Sequence, residues 1–325
     1  MTAMNMVKAI NSALTSEMEN DDSVILLGED VGTVGGVFRV TDGLLDRFGG
    51  ERVIDTPLAE SLIVGMATGM AMAGLRPVVE IQFMGFSYLA LSMMISHTAR
   101  MRNRSRGDYS VPMVIRMPYG AGVKALEHHS ESTESIYVQI PGLNVVVPST
   151  PREAKGLLIS SIRDPDPVIF LEPTRSYRLF KEEVEDEPFT IPIGKARTVR
   201  EGDDITVVGW GAMMPLVQEA ADAVEREGTS CEIIDLRTLS PMDSDAVVRS
   251  VKKTGRVVVA QEAPMTCGVA AELIARINSK AFLSLEAPPE RVTAPDIIVP
   301  LPKGERYYYL SADRIYNAIR RTVSY

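Results

Sequence analysis

The stretch VIDTPLAESLIVGMATGMAMAGLRPVVEIQ, residues 53–82, decides the fold class. Arg52-Val53-Ile54-Asp55 reads as a short strand, Thr56-Pro57 as a turn, residues 60–73 as a helix, and Pro77–Gln82 as a second strand. Leu75-Arg76-Pro77 ends the helix, because proline cannot continue one. Strand, helix and strand in succession are the unit of an α/β domain with a mostly parallel sheet. The run SLIVGMATGMAMAG, residues 61–74, is the most membrane-like in the chain and is too short to span a bilayer.

The same alternation extends in both directions. Residues 3–19 have helical spacing, with Met6, Ile10, Ala13 and Leu14 on one side. Ser23–Leu27 is a buried-type strand, followed by the turn Gly28-Glu29-Asp30 and a glycine-rich segment to residue 50. Downstream, Phe86–Arg102 reads as mostly helical and Met113–Met117 as a strand. The Gly120/Gly122 loop leads to ALEHHSES (125–132), then a helix at 132–140 and a strand at Asn144–Val147. Pro151–Arg163 is a helix with an early proline, and Val168–Leu171 is a strand. Residues 174–203 shift in composition around the acidic run KEEVEDEP, as a solvated linker would. The alternation then resumes from ITVVGWG to RVTAPDI. The expected organisation is a first domain over 1–175, a linker over 176–203 and a smaller α/β domain over 204–325.

The chain has 325 residues, a size at which two domains are expected, with 45% hydrophobic residues and a net charge of -9. An acidic balance argues against nucleic acid as a partner. Cys231 and Cys267 are the only cysteines, stand among apolar neighbours in sequence, and imply a reducing compartment rather than a disulfide framework. The first residues, MTAMNMVKAINSALTSEM, lack the apolar core of a signal peptide, so the expected location is the cytoplasm. The 17 methionines read as core filling.

Several polar groups fall at strand ends, where ligands collect in open α/β sheets. Glu29 follows the first strand, and Glu60 begins the helix after Asp55-Thr56-Pro57-Leu58-Ala59. By itself, Glu60 is a first-turn carboxylate favoured by the helix dipole. Glu80 stands inside an apolar strand, so it is paired, protonated, or facing a cavity. His128 and His129 are two of the three histidines. Adjacent side chains diverge, so they are poorly placed to share a metal, and no HExxH exists. No GxSxG elbow supplies a nucleophile. A proton-handling histidine on a loop and a plain surface turn both remain open. Gly209-Trp210-Gly211 is a poor match to a dinucleotide fingerprint, since Met214 stands where the third glycine belongs, and there is no GxxxxGK[ST] loop.

Taken in order, LLGEDVGTVGGVFRVTDGL, the 53–83 stretch, HHSES, VPSTPREAKGLLISSIRDPDPVIFLEP, EIIDLRTLSPMD and GRVVVAQEAP carry a resemblance over nearly the whole chain. The protein resembles the beta subunits of the thiamine-diphosphate-dependent, decarboxylating component of 2-oxo acid dehydrogenase complexes, in the transketolase superfamily. The resemblance implies a pyrimidine-binding domain followed by a transketolase C-terminal domain. It implies that Glu60 hydrogen-bonds the aminopyrimidine N1′ and favours its imino tautomer, whose nitrogen can take the thiazolium proton. It implies that Phe86 stacks on the pyrimidine, that Leu58 and Gln82 are neighbouring cofactor contacts, and that His129 serves acyl transfer to a lipoyl group. Glu29 and Glu80 resemble carboxylates of an acidic path between paired sites. Glu131 departs from the glutamine common in relatives.

The resemblance further implies a potassium site at Met113, Ser161, Ile162, Asp164 and Asp166, where IRDPDP otherwise reads as a helix stop. The superfamily's GDG…N stretch for diphosphate and Mg2+ has no match in the first domain; Gly202-Asp203-Asp204 lacks the asparagine. The implied partners are therefore an alpha subunit, in an α2β2 tetramer, and a lipoyl acyltransferase core. EIQF and IFLEP lean toward branched-chain 2-oxo acids over pyruvate. The alternative is a non-catalytic assembly subunit that docks the acyltransferase core. A nicotinamide oxidoreductase is the poorer third reading.

Overall fold

In the computed structural model, which describes residues 1–325, a short strand β1 (Thr2–Met4) precedes helix α1 (Met6–Asn20). Then follow β2 (Val24–Gly28), α2 (Leu44–Phe48), β3 (Val53–Asp55), α3 (Glu60–Met72) and β4 (Arg76–Glu80). The segment expected as mostly helical over Phe86–Arg102 is so, in short pieces: 3-10 turns, α4 (Leu91–Ser96) and α5 (Met101–Arg104). The first half closes with β5 (Val114–Tyr119), α6 (Glu134–Val138), β6 (Asn144–Val146), α7 (Pro151–Arg163) and β7 (Val168–Pro173). α7 starts where Thr150 caps the N–H of Glu153 and proline fills the first turn.

The segment 176–203 is not a bare linker. β8 (Glu182–Val184) pairs antiparallel with β1, and β9 (Arg197–Arg200) joins the second sheet. The acidic run is ordered by cations: Lys155 Nζ donates to the carbonyls of Glu185 and Asp186, and Arg152 makes a bidentate pair with Glu185. The second half continues with β10 (Ile205–Gly209), α8 (Met213–Glu225), β11 (Cys231–Asp235), β12 (Thr238–Ser240), α9 (Ser244–Thr254) and β13 (Val257–Pro264). It ends with α10 (Val269–Ala281), β14 (Glu290–Ala294), α11 (Glu305–Tyr308) and α12 (Ala312–Val323). No helix is long and apolar enough to cross a membrane.

The first sheet has seven strands in the order β12-β6-β7-β5-β4-β2-β3. All its pairs are parallel except β12 with β6. The second has five, ordered β14-β13-β10-β11-β9, with only β9 antiparallel. β12 comes from the second half of the chain yet extends the first sheet, so the halves interlock. One continuous cluster of 39 buried apolar residues runs from Ile25 and Ile63 through Trp210 and Leu236 to Ile277. The GWG turn belongs to this junction. A side chain on Gly211 would meet the Tyr119 hydroxyl, and buried Trp210 points its N–H at Glu134, so no nucleotide can approach it. Cys231 is buried, but Cys267, expected in apolar surroundings, is exposed.

Three adjacent apolar strands each carry one buried charge. Arg116 of β5 donates Nη1 to Glu80 of β4 at 2.8 Å and makes a two-pronged pair with Glu172 of β7 at 2.7 and 3.0 Å. The Tyr177 hydroxyl donates to the same Glu172. Arg116 and Glu172 are wholly buried. Burial pushes the Glu80 carboxyl up, against the pull of Arg116. Removing the cation would leave Glu80 buried without a partner and Glu172 with only the Tyr177 hydroxyl, which costs about 3–5 kcal/mol. Arg116→Ala is therefore expected to lower the thermal midpoint steeply, and calorimetry on the purified chain checks it; an unshifted midpoint would mean the triad carries no structural weight.

Candidate active site

The crossovers diverge beside β2, toward β3 on one side and β4 on the other, and a crevice forms at the carboxyl ends there. Gly28 ends β2 because a side chain would stand 2.7 Å from the carbonyl oxygen of Glu80. Asp55, at the end of β3, accepts the N–H groups of Gly32 and Thr33 at 2.6 and 3.0 Å. Those bonds tie the glycine-rich loop across the crevice.

Glu60 is the first residue of α3 and is only 4% exposed. The helix N-terminus favours its charge. One carboxylate oxygen, Oε2, is buried with no hydrogen-bond partner, and so is the nearby Thr56 hydroxyl. Buried acceptors without donors are rare and mark a missing ligand or water. Glu29 approaches from the end of β2; burial, with repulsion from Glu60 and Asp30, raises its carboxyl above the usual range. The two carboxylates expected from sequence thus share one electrostatic environment.

An aromatic shelf is built around residues 83–86, whose turns pack against α3. Phe38, Phe83 and Phe86 follow one another at ring separations of 5.5 and 5.4 Å, and Tyr177 continues the row. His129 packs its ring against the edges of Phe83 and Phe86 at 4.7 and 5.1 Å, and its Nδ1 is buried without a partner. His128 is more exposed and stacks on the outer side of Phe86 and near Tyr88. The two rings diverge, as adjacent side chains must. The Tyr88 hydroxyl donates to Glu131, whose other carboxylate oxygen lies 3.9 Å from His128 Nδ1. Gly85 permits the approach: a side chain there would collide with the His128 carbonyl. Phe83 and Tyr88 escaped the sequence reading, although FMGFSY (83–88) announces them as an aromatic cluster next to a strand end.

Gln82 does not reach into open space; its amide donates to Asp30 at 3.0 Å. Leu58 is 77% exposed, and Leu62 and Leu89 beside the site are also exposed. Glu80, suspected from sequence as a path carboxylate, is committed to Arg116. The signals for that pairing were an arginine in MVIRM and a glutamate in IFLEP. The five candidate potassium ligands lie around the end of α7. There Arg76 donates to the carbonyls of Ile162 and Asp164, the Met113 carbonyl accepts from Val168, and Arg102 pairs with Asp166. The Ser161 hydroxyl is bonded within the helix.

The pyrimidine end of thiamine diphosphate fits these residues. An unpartnered buried carboxylate suits a ring N–H, and an aromatic shelf suits a flat heterocycle. No group of three or more His, Cys, Asp or Glu is gathered in a way that would hold a metal ion.

The profile of the transketolase pyrimidine binding domain matches residues 2–179, and that of the transketolase C-terminal domain matches residues 194–315. The chain is 54% identical to the pyruvate dehydrogenase E1 component subunit beta of Acholeplasma laidlawii over 99% of this chain and 98% of the relative. It is 48% identical to the protein of the same name in Bacillus subtilis, over 100% of both chains. A solved split-gene transketolase, described as an inactive beta4 tetramer, superposes with a TM-score of 0.81 at 20% identity over 99% of each chain, which shows the fold. By sequence, domain content and fold, the chain belongs to the transketolase superfamily, in the family of 2-oxo acid dehydrogenase E1 beta subunits.

Proposed function

We propose that the chain works as the beta subunit of a thiamine-diphosphate-dependent 2-oxo acid dehydrogenase, with pyruvate as its first candidate substrate. The observation that carries this reading is the buried, unpartnered Glu60 oxygen at the start of α3, the helix that packs against the turns bearing Phe86 at the carboxyl edge of the first sheet. The branched-chain leaning of EIQF and IFLEP finds no support. Glu80 and Glu172, the charged residues of those stretches, are spent on Arg116, and the relatives above carry the pyruvate name.

When bound, thiamine diphosphate acts as the electron sink that lets the carbon–carbon bond beside a ketone break with loss of carbon dioxide. Glu60 holds a proton at the pyrimidine N1′ and keeps water from it. Phe86 and Leu58 pack on the heterocycle, and the side chain of Gln82 fixes the loop end through Asp30. Glu29, its carboxyl raised by burial and by repulsion from Glu60, stands next to that site. His129, dry on its Nδ1 side, handles the proton or charge that accompanies transfer of the acyl group to a lipoyl chain. The end of α7 already has a cation in Arg76, so the reading needs no potassium ion there.

The site is half of a whole. The exposed Leu58, Leu62 and Leu89 beside Glu60 are a face that an alpha subunit would cover, bringing the diphosphate and Mg2+ ligands. The tetramer would be α2β2, and residues 1–175 and 204–325 would act as its two functional domains. A second reading, an assembly subunit for the acyltransferase core, draws on exposed Ile297, Ile298 and Leu301 in the second domain. It is compatible with the first, but it gives Glu60 and His129 no task.

Glu60→Gln in the assembled enzyme is expected to lower turnover of pyruvate with an artificial electron acceptor by about 100-fold or more; substantial retained turnover would remove Glu60 from the chemistry. His129→Ala is expected to reduce lipoyl acylation by about 10- to 100-fold more than it reduces the acceptor-linked reaction. Equal losses in both assays would contradict that division of labour.

A further inference from the structure

The loop from Gly120 to Glu131 carries both histidines, and its first turn is gripped by the other domain. Gly120 and Gly122 have φ of 88° and 116°, a region that favours glycine. A side chain on Gly120 would stand 2.8 Å from the carboxylate of Glu262, and one on Gly122 would stand 2.7 Å from Arg175. Between them, the Ala121 N–H donates to Glu262 at 3.2 Å, and the Gly122 N–H donates to Glu305 at 2.8 Å. Glu262 lies on β13 and Glu305 begins α11, so both come from the second domain, and both are buried. The far end of the loop is closed by the Gly120 N–H on the Glu131 carbonyl, at 2.9 Å. Nothing in the reaction described above uses Glu262 or Glu305.

We propose that Glu262 and Glu305 are positioning residues: reaching from the second domain, they hold the Gly120–Gly122 turn by its backbone and thereby set where His129 stands. The proposal rests on the reading that His129 serves acyl transfer.

The grip is sensitive to pH. Glu262 faces Arg175, Glu134 of α6, Tyr119 of β5, Tyr308 of α11 and Tyr309 just after it. Burial, opposed by Arg175 and reinforced by Glu134, pushes its carboxyl up to about 7. Ionised, it accepts the Ala121 N–H more strongly than when neutral. The loop is therefore held more tightly above pH 7 than below. Global stability runs the other way. A carboxyl raised in the fold favours the folded state fully below its unfolded value and loses that advantage as pH climbs to 7. Glu262→Gln, permanently neutral, escapes that loss.

The test is hydrogen exchange by mass spectrometry on the assembled enzyme between pH 6 and pH 8, corrected for intrinsic rates, with Glu262→Gln, Glu305→Gln and His129→Ala beside the parent. In the parent, protection of peptides covering 120–131 is expected to rise about three- to tenfold across that range. Glu262→Gln should flatten the rise, loosen the loop at pH 8 by the same factor, and leave the melting temperature at pH 8 no lower than the parent's. Glu305→Gln should loosen the loop at every pH. Both should lose lipoyl acylation in kcat rather than KM, and lose it more than the acceptor-linked reaction. Parent-like exchange in both variants, or loosening spread evenly over the chain, would overturn the proposal. A loosened loop together with full acylation by His129→Ala would overturn the reading of His129 instead.

Discussion

Arg116 carries a positive charge into the middle of a seven-stranded, mostly parallel sheet and meets a carboxylate from the strand on each side. Such a triad is not a strong source of stability compared with apolar side chains of the same volume. What it fixes is register. A shift of one residue in β4, β5 or β7 would turn a charge onto the opposite face, against apolar neighbours. With register set, the ends of β2 and β4 stand level, since Gly28 pairs with Glu80, and the crevice that receives Glu29 and Glu60 has a defined floor. The Gly36 turn leans on the same Glu80 carboxylate, so the glycine-rich loop over the crevice depends on it as well.

Residues 53–82 made the fold class legible, because apolar strands and a helix of core-like composition leave few other arrangements. Glu60 was legible as a helix-start carboxylate, and only the resemblance gave it a catalytic meaning; the structure adds the unpartnered oxygen. The Glu80 question had three answers in sequence and one in space, since its partner Arg116 lies 36 residues further along the chain. Long-range pairing of that kind leaves no local periodicity to read. The ordered strands inside 176–203 were hidden for a similar reason: an acidic run looks solvated until Lys155 and Arg152 are brought against it. The helical character of 86–102 was legible from the spacing of FSYLALSMM, but not its division into short pieces, where Ser87 and Tyr88 are drawn off toward Tyr137 and Glu131. α12 was missed although Ser311, Ile315, Ala318 and Ile319 carry a capped amphipathic pattern.

The two domains are tied more closely than a boundary in composition suggests. They share one apolar cluster, the second lends β12 to the sheet of the first, and they meet around buried Glu134 and Glu262. The histidine loop runs along that junction, with its aromatic support from the first domain and its backbone anchors from the second.

The central claim is that this chain holds the pyrimidine end of the cofactor and lacks the rest of its site. Calorimetric titration of thiamine diphosphate with Mg2+ into the chain, alone and mixed with its alpha subunit, tests this most directly. The account predicts heat of binding only in the mixture, abolished or strongly weakened there by removing the Glu60 carboxylate. Tight binding to the chain alone would contradict it and would require a diphosphate site within these 325 residues.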